Sequence, residues 1–267
     1  MSSDLFAVRS LLFLPASNPR AVAKARTLAA DLVILDLEDA VKPEDKTAAR
    51  RAALDAFGDE WPMPVAIRVN GVGTEWHSLD VDAVSRSGAA FAILPRASSA
   101  HLVKNVRDAI GKPLLAMIET AAGVLAAAAI ADDCAGLIAG TNDLAADLRL
   151  PPGAGRAPLQ VALQTIVLAA RAHGIPAFDG VFNRLDDDPG LRAECVEGRM
   201  LGFDGKSLIH PNQVDPCNVA FGPSQDEIER ARRLVEAASG GAERFEGEMI
   251  ERMHVEAARR LLERAGG

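Results

Sequence analysis

The chain has 267 residues, nearly half of them hydrophobic, which is enough for one large domain with a full core or for two small ones. Its 29 Lys and Arg against 37 Asp and Glu give a formal charge of −8, which argues against a general nucleic-acid surface but leaves room for a local basic patch. No apolar run is long enough for a bilayer, MSSDLFAVRS lacks the layout of a signal peptide, and Cys134, Cys195 and Cys217 form no CxxC pair; a cytoplasmic protein with reduced thiols, and with neither a disulfide framework nor a zinc site, is expected.

Along the chain, SLLFLPA (10–16) reads as a strand and PRAVAKARTLAA as the helix after it. LVILDLED (32–39) is followed by helical PEDKTAARRAALDAF, with Pro43 near its start. PVAIRVN (64–70), FAILPRA (91–97), LLAMIET (114–120) and GLIAGTNDL (136–144) come next, and PLQVALQTIVLAARAH follows the last of these. IPAFDGVF (175–182) and GKSLIHP (205–211) complete the strands, with SQDEIERARRLVEAAS after them. Such continuous hydrophobicity suits strands covered on both faces, as in a parallel sheet. Strand then helix, eight times over, predicts an α/β fold of the TIM (β/α)8 barrel type. An open doubly wound sheet would usually carry a Gly-rich phosphate loop after an early strand, and there is none. The expected division is a barrel over 1–239 and a C-terminal segment over 240–267 that the eight units do not absorb.

Active sites of such barrels lie at the C-terminal ends of the strands. The runs end in Asp36, Glu38 and Asp39, in Arg68 and Asn70, in Arg96, in Glu119, in Asn142 and Asp143, in Asp179, and in His210. Charges there are costly unless paired, hydrogen-bonded or bound to metal, so a ring of acids with two arginines points to a site. Glu119 and Asp143 end neighbouring strands; two oxygen ligands with room for water and substrate describe a Mg²⁺ site. The alternative is that each carboxylate caps a helix N-terminus, and Asp143 is open to it because LAADL follows. Arg68 has the fork to bind a substrate carboxylate; the alternative is a salt bridge to Asp36 or Glu38, and the two are compatible. His210 is a candidate acid or base, or a structural hydrogen-bond partner.

RSLLFLPASNP, DLVILDLEDAVKPEDKTAAR, AIRVNG, LPR, AMIETAAGV, GTNDLAADL and GFDGKSLIHPNQV together resemble the citrate lyase β-subunit-like family of the HpcH/HpaI aldolase/citrate lyase superfamily, which includes citryl-CoA, malyl-CoA and citramalyl-CoA lyases. The matches run in order from residue 9 to about residue 225, with a weaker echo to 258. The resemblance implies a TIM barrel with Mg²⁺ held by Glu119 and Asp143. It places Arg68 on the substrate and the thioester oxygen, and Phe13, Lys24, Ile209 and His210 against substrate or coenzyme A. Relatives often carry a basic residue where this chain has Asn18, and Arg20 lies two positions on. Asp36, Glu38 and Asp39 read as an outer shell that orients metal-bound waters, with Asp36 and Glu38 on one face of the strand and Asp39 on the other.

The implied reaction is reversible cleavage of a 3-hydroxyacyl-CoA to acetyl-CoA and a 2-oxo acid. The partners are these small molecules, with neither nucleic acid nor membrane, in a homotrimer or hexamer. The C-terminal segment is expected to form a lid over the adjacent subunit's site. Glu251 stands there where relatives have an aspartate that handles the α-carbon proton. Two other readings stay open. One is an aldolase of 2-oxo-3-deoxy acids, which usually has Glu-His where this chain reads Glu38-Asp39 and lacks RSLLFLP. The other is the β subunit of a citrate lyase complex, acting on an acyl-carrier thioester.

Overall fold

A computed structural model describes residues 4–239 and 241–266. Eight parallel strands close into a barrel in chain order: β1 (Ser10–Pro15), β2 (Leu32–Asp36), β3 (Val65–Arg68), β4 (Phe91–Leu94), β5 (Leu114–Ile118), β6 (Gly136–Ala139), β7 (Ala177–Asp179) and β8 (Gly205–Leu208). The expected (β/α)8 architecture is therefore present. Alternation along each strand divides the core in two. Leu11, Ile34, Ala66, Ile93, Leu115, Ile138 and Phe178 fill the bore. Leu12, Val33, Leu35, Ile67, Ala116 and Leu137 face outward into the helix layer. A 3₁₀ turn at Leu5–Ala7, capped by Asp4, brings Leu5 and Val8 into the bore cluster at its N-terminal end. Each fully buried Leu or Ile contributes roughly 1.5–3 kcal/mol.

Local chemistry sets the helix limits. Pro19–Ala25 begins with Pro at its first position behind Asn18, whose side chain accepts from Ala21 N at 3.1 Å. That capping duty is what Asn18 does in this chain. Ala100–Ile110 starts at Ser99 and stops at Gly111, whose φ of 67° suits glycine. Ser224 and Glu227 close a capping box on Gln225–Ala237.

The strands are shorter than the apolar runs. β2 ends at Asp36, so Glu38 and Asp39 lie in a turn where strand alternation no longer applies. β6 ends at Ala139, and Asn142 and Asp143 belong to the first turn of a helix, Thr141–Asp147. The cap of that helix is Gly140, not Asp143. Registers Pro15↔Asp36, Asp36↔Arg68 and Arg68↔Ile93 bring the ends of β1 to β4 to one level.

Beyond the barrel, β9 (Glu243–Phe245) and β10 (Glu248–Ile250) form a hairpin across Glu246-Gly247, with φ of 48° and 90°. Two central residues with positive φ are what a tight two-residue hairpin loop requires. The helix Arg252–Gly266 then packs against Gln225–Ala237 around Ala231, Leu234, Ile250 and Ala258, a small core separate from the barrel's. Arg264 near its end donates to the carbonyl of Asp204, at the N-terminal end of β8. Among the described residues, no helix is long and apolar enough to cross a membrane.

Candidate active site

At the C-terminal mouth of the barrel, Asp36 is fully buried and holds Arg68 in a two-pronged grip: Nε and Nη2 donate to its two oxygens, each at 2.6 Å. Asp36 also accepts from the backbone N–H of Glu38 and of Ala40, both at 2.9 Å, which folds the turn back over the strand end. Both of its oxygens are thus committed to protein groups. Arg68 Nη1 meets Glu38 Oε2 at 2.9 Å, outside hydrogen-bond alignment, and Asp39 Oδ2 at 3.6 Å. The alternation expected for Asp36, Glu38 and Asp39 is therefore replaced: all three carboxylates approach one guanidinium, because the ladder ends at Asp36. Burial raises the Glu38 carboxyl to about 8; Arg68 opposes this, and Asp39, Glu119 and Asp36 reinforce it.

Glu119 follows β5 and is 2 % exposed. Its Oε1 accepts the backbone N–H of Arg96 at 2.6 Å. Arg96 has φ of 51°, an uncommon conformation for a residue with a side chain, and that turn aims the N–H at Glu119. The same residue's Nη1 reaches Asp143 Oδ1 at 3.3 Å. Arg96 thereby touches both candidate metal ligands, one with its main chain and one with its side chain. Burial raises the Glu119 carboxyl to about 7; the Arg96 N–H opposes the shift and Asp143 adds to it. Among the described residues no group of three or more His, Cys, Asp or Glu side chains is arranged to hold a metal. A small hard cation that keeps several waters needs only one or two carboxylates. A buried carboxyl lifted toward neutrality partly by a second acid marks a place short of positive charge, so the donor set fits such an ion.

Gly140 supports Glu119 from the other side. A Cβ there would lie 2.3 Å from Glu119 Oε2 and 2.4 Å from its Cβ. Gly140→Ala should therefore push Glu119 aside while the barrel stays folded. Displacement of about 1 Å at a reacting centre can cost ~10²-fold. The expected result is a loss of that order in kcat/KM with an unchanged circular dichroism spectrum.

Phe13, Lys24 and Ile209 line one groove of about 170 Å³, together with Pro15, Ala21 and Pro211. The Phe13 ring lies 5.1 Å from the Arg68 guanidinium carbon and so links the groove to the acidic cluster. His210 caps the turn Pro211–Gln213: its Nδ1 accepts from Asn212 N at 3.3 Å, and Gln213 reaches back to the N–H of Ile209 and of His210. Asp179 belongs elsewhere. Its side chain faces the helix layer and pairs with Arg156 at 2.7 Å and Lys206 at 3.0 Å. Glu251 immediately precedes the last helix, and its N–H donates to His254 Nδ1 at 2.9 Å.

Lys46 gives no signal in the sequence, because a lysine inside a helix reads as a solvated side chain. The structure buries it, with Nζ on the carbonyls of Leu37 at 2.8 Å and Glu38 at 2.7 Å, so it pins the acidic turn from behind. Asn70 does the same from β3's end, donating to Leu37 O and to buried Asp80.

A family model described as HpcH/HpaI aldolase/citrate lyase matches residues 9–211. The chain belongs to this family. A second model, a C–C bond lyase of the TIM-barrel fold, matches residues 157–266 and so runs through the C-terminal helix. Among curated family members, a protein of Cereibacter sphaeroides named (3S)-malyl-CoA thioesterase is 44 % identical, over 99 % of this chain and 97 % of its own length. Citrate lyase subunit beta of Escherichia coli is 33 % identical, over 96 % and 93 %. Among solved structures, CitE of Mycobacterium tuberculosis in complex with magnesium, acetoacetate and coenzyme A superposes with a TM-score of 0.87 at 36 % identity, covering 98 % of this chain and all of that one.

Proposed function

We propose that this chain is a Mg²⁺-dependent carbon–carbon lyase that cleaves short 3-hydroxyacyl-CoA thioesters of the malyl-CoA type into acetyl-CoA and a 2-oxo acid. The observation that carries the reading is the Arg96-linked pair of Glu119 and Asp143 beside a buried arginine, at the end of a groove lined by Phe13, Lys24 and Ile209. The CitE structure with magnesium and coenzyme A supports the ligand class.

In the cleavage, the substrate hydroxyl gives up its proton and becomes the carbonyl of the 2-oxo acid. The broken C–C bond leaves its electron pair on the thioester, as an enolate, and the α-carbon then takes a proton to give acetyl-CoA. Mg²⁺ held by Glu119 and Asp143 would supply Lewis-acid polarisation of the oxygen that becomes the carbonyl. Arg68 stabilises the developing enolate charge. Asp36 takes its Nε hydrogen and one Nη2 hydrogen, so it acts through the outer edge of the guanidinium, Nη1 and the second Nη2 hydrogen. Phe13, Lys24, Ile209 and His210 lie along the coenzyme A path. Glu251 delivers the α-carbon proton, from a lid that the hairpin and last helix form over a neighbouring subunit of a homotrimer or hexamer. Its extra methylene relative to aspartate moves the carboxyl about 1.5 Å.

The thioesterase relative favours a second reading, hydrolysis of the same thioester to free acid and coenzyme A. Product analysis separates the two. With malyl-CoA and Mg²⁺, glyoxylate and acetyl-CoA should form together; free coenzyme A thiol without glyoxylate would overturn the lyase reading. Glu251→Gln should slow both C–C cleavage and exchange of acetyl-CoA α-protons with deuterium. Unchanged rates in both assays would move the proton to another carrier.

A further inference from the structure

The mouth holds two arginines in very different states. Arg68 is 8 % exposed and its fork is filled by Asp36 at 2.6 Å on both prongs, with Glu38 at 2.9 Å on the third nitrogen. Lys46, the nearby ammonium, is tied to two backbone carbonyls. Lys46 is thus committed to the main chain, and Arg68 is locked in one orientation by Asp36 with only its outer edge, Nη1 and the second Nη2 hydrogen, left over. Arg96 is the contrast. Its side chain is 55 % exposed and holds Asp143, itself 42 % exposed, by one contact of 3.3 Å. Such a pair is worth little in water and is readily exchanged. The main chain of Arg96, by comparison, is fixed: its left-handed φ of 51° and its N–H on Glu119 anchor the base of the side chain at the mouth.

We propose that Arg96 recognises the carboxylate of the 2-oxo acid, and that it is parked on Asp143 until a divalent cation takes Asp143 over. The proposal rests on the reading of Glu119 and Asp143 as the metal pair. A cation arriving between the carboxylates neutralises the charge that attracts the guanidinium and repels it as well. Released, the guanidinium keeps its anchor and presents a planar fork suited to a carboxylate. The order of binding follows: metal first, acid second. In the absence of metal, Arg96 and the ion compete for Asp143. In its presence, Arg96 and the acid cooperate.

The test uses the full chain after treatment with chelator, as wild type and as the Arg96→Gln, Arg96→Gly and Arg96→Lys variants. Glycine tolerates the positive φ at this position and keeps the N–H to Glu119, so one uncharged variant retains the anchor even if glutamine strains the loop. Calorimetric titration with Mg²⁺ alone should show Arg96→Gln and Arg96→Gly binding the ion about 3- to 10-fold tighter than wild type, since one repelling charge is gone. Titration with glyoxylate at saturating Mg²⁺ should show the same variants binding about 10-fold weaker or worse, with Arg96→Lys between them and wild type. A loosened loop would weaken both titrations, so the opposite signs are the signature. Mg²⁺ affinity that is unchanged or reduced, or glyoxylate affinity that is unchanged, overturns the proposal alone. Wild type that binds no Mg²⁺ overturns the metal reading, and this proposal with it.

Discussion

Glu119→Gln should lower kcat/KM by about 10³-fold, the several kcal/mol that a Lewis acid supplies to such chemistry, while leaving the barrel as stable as before or more so. Glutamine keeps the volume and an oxygen to accept the Arg96 N–H. It removes the charge that burial and Asp143 make costly. The raised carboxyl sets the sign of the stability change. Its folded pKa is about 7 against an ordinary 4.5, so between those values the folded protein holds the proton more tightly than the unfolded chain does. Stability of the metal-free wild type therefore falls as pH rises through that window. Removing the carboxyl flattens the slope. The checks are malyl-CoA kinetics, Mg²⁺ calorimetry and thermal midpoints from about pH 4.5 to 7.5 in chelator. Wild type assayed in excess chelator should be as inactive as the variant. A variant that keeps activity within tenfold of wild type, or wild type active in chelator, removes the metal from the reaction.

Arg68→Lys should lower kcat/KM by about 2–4 kcal/mol of transition-state stabilisation, the cost of losing a donor to a developing oxyanion. Here the charge is retained and the geometry is lost. An ammonium cannot span both oxygens of Asp36 and still reach Glu38, three contacts that the guanidinium makes at 2.6, 2.6 and 2.9 Å. Asp36 would then keep the Glu38 and Ala40 N–H groups and a single contact from the ammonium in place of the two-pronged grip. Stability should fall as well, by less than the ~3–5 kcal/mol of removing a buried partner outright. The double variant Arg68→Lys, Glu38→Gln should recover part of that stability, because one excess carboxylate is gone, but none of the activity. Urea unfolding and steady-state kinetics read the two effects separately. A single variant within twofold of wild type in kcat/KM rules out the oxyanion role.

The eight strands are legible in the sequence because parallel strands covered on both faces read as unbroken apolar runs. Their ends are not. Leu37, Val69 and Ala97 are as buried as strand residues yet lie past the ends of β2, β3 and β4, since the outer core continues where the ladder stops. That difference misplaces Asp39, which turns toward Arg68, and puts Asp143 in a helix. Asp179 fails for another reason: hydrophobicity shows that a strand is buried, not which of its faces a polar residue takes. Lys46 and the strained main chain of Arg96 leave no local signal: Lys46 is buried on main-chain carbonyls of the preceding turn, which any sequence supplies, and the Arg96 N–H is aimed at a carboxylate at the end of the next strand. The C-terminal segment is legible as a piece that the eight units do not absorb. The grouping of its small core with Gln225–Ala237 is not, because that contact joins two amphipathic faces that each look complete alone.

Lys206 sits on β8 with its side chain turned away from the bore, wholly buried between the strands and the helix Asp188–Leu201. Its three N–H bonds go to Asp179 at 3.0 Å, the Gly180 carbonyl at 2.6 Å and Glu194 at 2.7 Å. Burial alone would lower its pKa, but Asp179 and Glu194 outweigh it, so the amine is held protonated more firmly than a free lysine. A protonated amine with no lone pair and no path to solvent cannot add to a ketone or aldehyde. In a barrel proposed to release a 2-oxo acid, the lysine within the β8 wall is thus closed to imine formation, and its charge serves as mortar between barrel and helix.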